Sequence, residues 1–176
     1  PLLGTMDKIN DRMAPDAPAT LDGMTYMAYA TYYDNGMLLE LGEDYQAIQW
    51  MQDNVKGSPV LVEGQAYEYR WGNRFTIYTG LPGVVGWNWH QRQQKASLMS
   101  NIVQERVDQV NQFYLTEDLG YVRSFIAEFD VEYIIVGQLE QTYYPGAGLD
   151  KFEQFNGLLW DHVYRQGSTV IYQVRN

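Results

Sequence analysis

The chain has 176 residues, 22 acidic against 12 basic for a net charge of −10, and no cysteine. That length suits one domain able to bury its own core, while the charge disfavours nucleic acid, whose phosphates need a basic footprint, and also an anionic lipid surface. The missing thiols exclude disulfides, thiolate metal sites and a cysteine nucleophile, and leave the compartment open.

No window approaches the roughly 18 apolar residues of a membrane span, and no signal peptide is visible. The opening Pro1-Leu2-Leu3-Gly4 carries no initiator methionine, which reads as a piece of a longer protein with its targeting information upstream. Fifteen tyrosines, five tryptophans and six phenylalanines exceed what a core of this size needs. Rings of that kind either half-bury on strands or build a recognition surface.

Residues 1–19, with Pro15 and Pro18, read as a loop-like lead-in, and 20–176 as a single soluble α/β domain. Met24 to Tyr29 suggests a short helix that Tyr32-Tyr33-Asp34-Asn35-Gly36 stops. Tyr45, Ile48, Trp50 and Met51 recur at helical spacing, with Gly57 placed to end the helix. Val60 to Glu63 reads as a short buried strand and Phe75 to Thr79 as a second. Ile102 to Phe113 and Glu117 to Phe129 read as helices. Val131 to Val136 is the strongest strand, Leu149 to Phe155 a brief helix, and Leu158 to Val174 a terminal hairpin turning at Gln166-Gly167-Ser168. This order predicts an α/β fold: a mostly parallel sheet, helices on its faces, Val131–Val136 in the middle and the C-terminal β-hairpin at one edge.

Ligands of such sheets favour the carboxyl ends of the strands. Glu63, Tyr78 and Glu140 are expected there. Glu63 and Glu140 could act as the acid and base of a glycoside hydrolase, or simply cap loops and pair with Arg74 or Arg106. Between Arg74 and His90 the chain turns from strand-like into a glycine- and proline-rich loop bearing Trp87, Trp89 and His90. Read as extended backbone, this loop points Trp87 and Trp89 to one side, with Trp87 anchored inward and Trp89 or His90 facing a groove. His90 and His162 have no metal-ligand spacing, no serine occupies a nucleophile elbow, and Gly80-Leu81-Pro82-Gly83 lacks the lysine of a phosphate loop. No metal, cofactor or nucleotide is expected, and no residue is assigned a catalytic role.

The stretches Thr20 to Met27, Arg74 with Tyr78-Thr79-Gly80-Leu81-Pro82, Gly86-Trp87 with His90-Gln91, Tyr133 to Glu140 and Lys151-Phe152 occur in an order that resembles the "YYY" family of bacterial and archaeal multi-spanning membrane proteins. The resemblance implies a glycosyltransferase-like architecture using lipid-phosphate sugars. On that footing the chain is a non-catalytic, extracytoplasmic C-terminal domain, and 1–19 leads in from the membrane region. Its partners are then the upstream transmembrane part of the same polypeptide and a glycan or lipid-linked sugar. Arg74, Tyr78, Trp87 and His90 are expected to contribute to a groove. A free-standing glycosidase and a docking domain without ligand are the competing readings.

Overall fold

The computed structural model describes residues 3–7, 18–97 and 101–175. Most of the expected 1–19 lead-in therefore lies outside the described residues; of the parts within them, 3–7 is helical and 18–19 is irregular. A 3-10 turn at Thr25–Ala28 leads into strands β1 (Thr31–Asp34) and β2 (Met37–Glu40), which form a separate antiparallel hairpin. Asn35 and Gly36 both take positive φ at its turn, the backbone that an Asn-Gly pair favours. The sequence reading took the same residues as a helix stop.

Helix α1 (Leu41–Asn54) buries Leu41, Asp44, Ile48 and Met51 along one stripe. Strand β3 (Val60–Val62) follows. Next come the short helices α2 (Arg74–Thr79) and α3 (Asn88–Gln94), then α4 (Ile102–Leu115) and α5 (Leu119–Phe129). The start of α5 is capped by Asp118, whose carboxylate accepts the Gly120 and Tyr121 N–H groups. Strand β4 (Val131–Val136), helices α6 (Gln138–Tyr143) and α7 (Asp150–Gln154), and strands β5 (Trp160–Gln166) and β6 (Thr169–Val174) complete the chain.

The main sheet runs β3-β4-β6-β5. Only β3 and β4 are parallel; β4 with β6 and β6 with β5 are antiparallel. The expectation of a mostly parallel sheet is thus wrong, for two physical reasons. Phe75 to Thr79 is helical and supplies no strand, and the terminal hairpin inserts β6 directly against β4 instead of adding a crossover. Strand β4 is interior, as its apolar run requires, and its side chains alternate between two cores. Ile134 and Val136 pack with Val110, Phe113, Phe125 and Trp160 under α4 and α5. Tyr133 and Ile135 pack on the other face with Ile48, Met51, Leu61 and Phe75 beneath α1.

The helical state of α2 overrides a local preference for strand, since Phe75, Thr76, Ile77 and Thr79 are β-formers. Long-range groups impose it. The Glu63 carboxylate accepts the Phe75 and Thr76 N–H groups at 3.0 and 2.8 Å, which stabilises the first turn, and Gly80 at φ 74° closes the last.

Candidate functional site

Because β3 and β4 are parallel, their carboxyl ends meet at one edge, where Glu63 and Gly64 leave β3 and Gly137 leaves β4 for α6. Two different constructions share that edge. One is a buried ion cluster and the other is an open aromatic cleft.

Arg74 is the hub of the cluster. Its Nε donates to Asp44 Oδ2 at 2.6 Å, and its Nη1 and Nη2 donate to Glu140 Oε1 and Oε2 at 3.1 and 2.9 Å in a two-pronged pair. Glu63 Oε2 lies 3.7 Å from Nη1. All four side chains are buried. The carboxylates are saturated from their other sides: Asp44 also accepts Trp71 Nε1, and Glu140 accepts the Gly64 and Gly137 N–H groups at 2.7 and 2.8 Å. Both glycines are required by closeness, since a Cβ on Gly64 would sit 2.9 Å from Glu140 Oε1 and one on Gly137 would sit 3.0 Å from Thr169 Oγ1.

Burial pushes the Asp44 and Glu63 carboxyls above their ordinary range, against the pull of Arg74. At Glu140 burial acts in the same direction, but the Arg74 charge and hydrogen bonds, with the two backbone N–H groups, outweigh it and hold the group low. Arg74 stays protonated, its burial more than offset by the three acids. One cation facing three carboxyls, all internally bonded, is a structural device. All three of its carboxyls, Asp44, Glu63 and Glu140, are turned inward to Arg74.

The cleft lies on the solvent side of the same loop. It encloses about 280 Å³ and is lined by residues of the 66–73 loop and of 87–90. Tyr67 and Tyr69 are 70% and 84% exposed, and Trp87 and Trp89 are 51% and 42% exposed. The Trp87 and His90 rings pack with their centres 4.7 Å apart, tilted by 41°. Asn73 and Asn88 add amide groups to the same walls. Tyr69 and Asn73 both hold positive φ, at 61° and 59°. For a tyrosine that backbone is strained, and strain of this kind collects at functional loops.

The sequence-predicted residues therefore separate into two groups. Trp87, Trp89 and His90 come together in the cleft. Arg74, Glu63 and Glu140 come together in the buried cluster. Tyr78 belongs to neither: it is half-buried, with its hydroxyl 2.8 Å from that of Tyr26 and its ring against Trp71. Trp87 is not anchored inward, because 87–90 is the start of a helix and not extended backbone, so the ring that meets it is His90 three residues on.

Sequence reasoning missed Tyr67, Tyr69, Asn73 and Asn88 as cleft residues, and Asp44 as a member of the cluster. Two signals were available. Tyr67 and Tyr69 lie within a segment bounded by Gly64 and Gly72, and Asp44 occupies the apolar stripe of α1 with Leu41 and Ile48. Among the described residues no group of three or more His, Asp or Glu is placed to hold a metal, and no helix is long and apolar enough to cross a membrane.

No protein-family profile matches the chain, and no curated protein matches it by sequence, so the resemblance to the YYY family rests on the quoted sequence elements alone. Among solved structures, the chain is similar to the C-terminal globular domain of an oligosaccharyltransferase from Archaeoglobus fulgidus, at 13% identity and a TM-score of 0.47, over 74% of this chain and 95% of that one.

Proposed function

We propose that this chain is a non-catalytic glycan-binding domain, and that it serves a membrane-embedded glycosyltransferase from the extracytoplasmic side. The observation that carries the glycan reading is the cleft: two exposed tyrosines, two exposed tryptophans and His90 surround a space flanked by the amides of Asn73 and Asn88. Flat rings cover the apolar faces of sugar rings, and amides serve the hydroxyls at their rims. The membrane parent and the side of the membrane rest on the sequence resemblance.

The state of the candidate acids supports assigning no catalytic role to them. Glu63 and Glu140 are spent on Arg74, on the first turn of α2 and on backbone N–H groups. A glycoside hydrolase needs one carboxyl on each side of the scissile bond, and these two converge on one guanidinium instead.

Titration of the purified chain with neutral oligosaccharides, read by tryptophan fluorescence, tests this directly. The expected result is a saturable change that Trp89→Ala or Tyr69→Ala removes. A flat response across gluco-, manno- and galacto-oligosaccharides would dismiss the glycan reading, and glycoside turnover lost on Glu63→Gln would restore the hydrolase.

A further inference from the structure

The tyrosine wall of the aromatic cleft stands on a loop whose two ends meet. Gln65 Nε2 donates to Asn73 Oδ1 at 3.2 Å, and one residue further in Gly72 lies against Ala66, so that a Cβ on Gly72 would sit 3.1 Å from the Ala66 Cβ. The 66–72 segment is thus a closed-neck loop of the Ω type, with Tyr67 and Tyr69 on its exposed part. Tyr69 and Asn73 hold positive φ, and backbone of that kind persists only where its surroundings fix it. Trp71 Nε1, bonded to Asp44, and Arg70, 3.9 Å from Asp34, tie the second half of the loop.

The first half is fixed by α6. Glu140 Oε1 accepts the Gly64 N–H at 2.7 Å, and one turn later the Tyr144 hydroxyl accepts the Gln65 N–H at 2.8 Å. Two consecutive amides at the root of the loop are therefore held from one side of the same helix. The Tyr144 hydroxyl is itself fixed. It gives its proton to Asn111 Oδ1 at 2.8 Å, with the Gln65 carbonyl at 3.3 Å as the second acceptor, and its ring stacks on Tyr114 with centres 4.9 Å apart and 15° between the planes. The Tyr114 hydroxyl lies 2.8 Å from the Ile135 carbonyl and 3.1 Å from that of Val62, so the stack stands on the adjoining strands β3 and β4. Tyr144 and Gln65 are both buried and lie outside the lining of the aromatic cleft.

We propose that Tyr144 and Gln65 are positioning residues of the aromatic cleft: they join the wall bearing Tyr67 and Tyr69 to the sheet, and they govern ligand affinity without touching the ligand. Ordering a mobile wall on binding costs affinity, and a wall held beforehand avoids that cost. The inference rests on the glycan reading for its ligand, whereas the anchoring itself is measurable with no ligand at all.

The test uses the whole chain with Tyr144→Phe, which keeps the ring on Tyr114 and removes the hydroxyl, and with Gln65→Met, which keeps a side chain of similar length and removes the amide. Each is read by amide hydrogen exchange without ligand, and by calorimetric titration with gluco-, manno- and galacto-oligosaccharides. The expected outcome is exchange about threefold to tenfold faster in 66–72, with β4 and α4 as in the wild type, and affinity lower by about the same factor. Should Tyr144→Phe fail to fold, Gln65→Met carries the test alone. Exchange that quickens equally in β4 and in the loop would overturn the proposal, since the two residues would then be general stabilisers. Weakened binding with wild-type exchange would overturn it differently, by placing them in contact with the ligand. If no saccharide binds the wild type while loop exchange still quickens in the variants, the glycan reading falls and the anchoring of the loop stands.

Discussion

The residues from Glu63 to Arg74 build two sites of opposite character. On the inner side Arg74, Asp44, Glu63 and Glu140 satisfy one another and the ends of two helices, with every carboxylate bonded within the protein. On the outer side the same loop leaves Tyr67 and Tyr69 in solvent, the latter in a strained backbone. A buried charge cluster at a sheet edge is easily mistaken for chemistry, because its members have displaced pKa values and sit where ligands bind. Here full internal pairing identifies it as a brace, and the exposed aromatic cleft beside it is the surface to which the proposed binding is assigned.

If that division holds, substitutions on the two sides of the loop should separate stability from binding. The largest effect is expected for Arg74→Met, which strands three buried carboxyls without their cation. It should cost about 3–5 kcal/mol and unfold much of the chain at ambient temperature, as measured by urea denaturation. Arg74→Lys should restore little, since a single ammonium cannot reproduce the two-pronged pair with Glu140 and the bond to Asp44.

A smaller loss, about 2 kcal/mol at neutral pH, is expected for Glu140→Gln. Its sign with pH follows from the lowered carboxyl of Glu140 in the folded chain. The unfolded chain takes up a proton there first on acidification, so the stability contributed by Glu140 is complete at neutral pH and is lost as pH falls below the ordinary carboxylate range. The difference in stability between wild type and Glu140→Gln should therefore shrink toward low pH. A constant difference would show that the carboxylate charge is not what holds α6 to Arg74.

Lys151 offers a third test, away from both sites. It is buried, with Nζ donating to the backbone carbonyls of Tyr114 and Gly148 and lying 4.5 Å from the Phe152 ring centre. Burial lowers its pKa to about 8 from 10.5. Below about pH 8 both folded and unfolded chains carry that proton. Above it the folded chain releases the proton first, so stability should rise from about pH 8 toward pH 10, and Lys151→Met should remove the rise.

The smallest effects belong to the cleft. Trp87→Ala and Trp89→Ala remove half-exposed rings and should shift stability by about 1 kcal/mol or less. Tyr69→Gly should be neutral or slightly stabilising, because a positive φ of 61° strains a tyrosine and suits glycine. A large loss of stability in any of these variants would make the cleft part of the core.

Much of the framework was legible in the chain itself. The apolar run of Val131–Val136, broken only by Glu132, and helical stripes such as Val103, Val107 and Val110 reflect burial by neighbours of any kind, so they can be read locally. The sheet's direction could not be read that way. Whether a strand at 169–174 pairs with β3 or β4, and in which sense, depends on contacts across the whole chain. The helix at 74–79 escaped for the same reason, since its cap lies eleven residues upstream of Arg74 on β3's end and its anchors lie on α1 and α6. At the cleft, Trp87, Trp89 and His90 were visible as costly rings on an irregular segment, but a period of 2 was assumed where 3.6 applies. Asp44 on the apolar stripe of α1 was the one sequence clue to a buried ion pair, and it points at Arg74 only once the fold is known.

The most direct test of the division is a paired measurement on one variant, Tyr69→Ala: its urea midpoint and its affinity for a neutral tri- or tetrasaccharide. An unchanged midpoint with binding reduced about tenfold or more is the predicted result, consistent with an exposed ring whose role is to meet a ligand. A lowered midpoint with binding retained would contradict the account, since it would make the outer face of the loop, like Arg74 beneath it, a part of the brace.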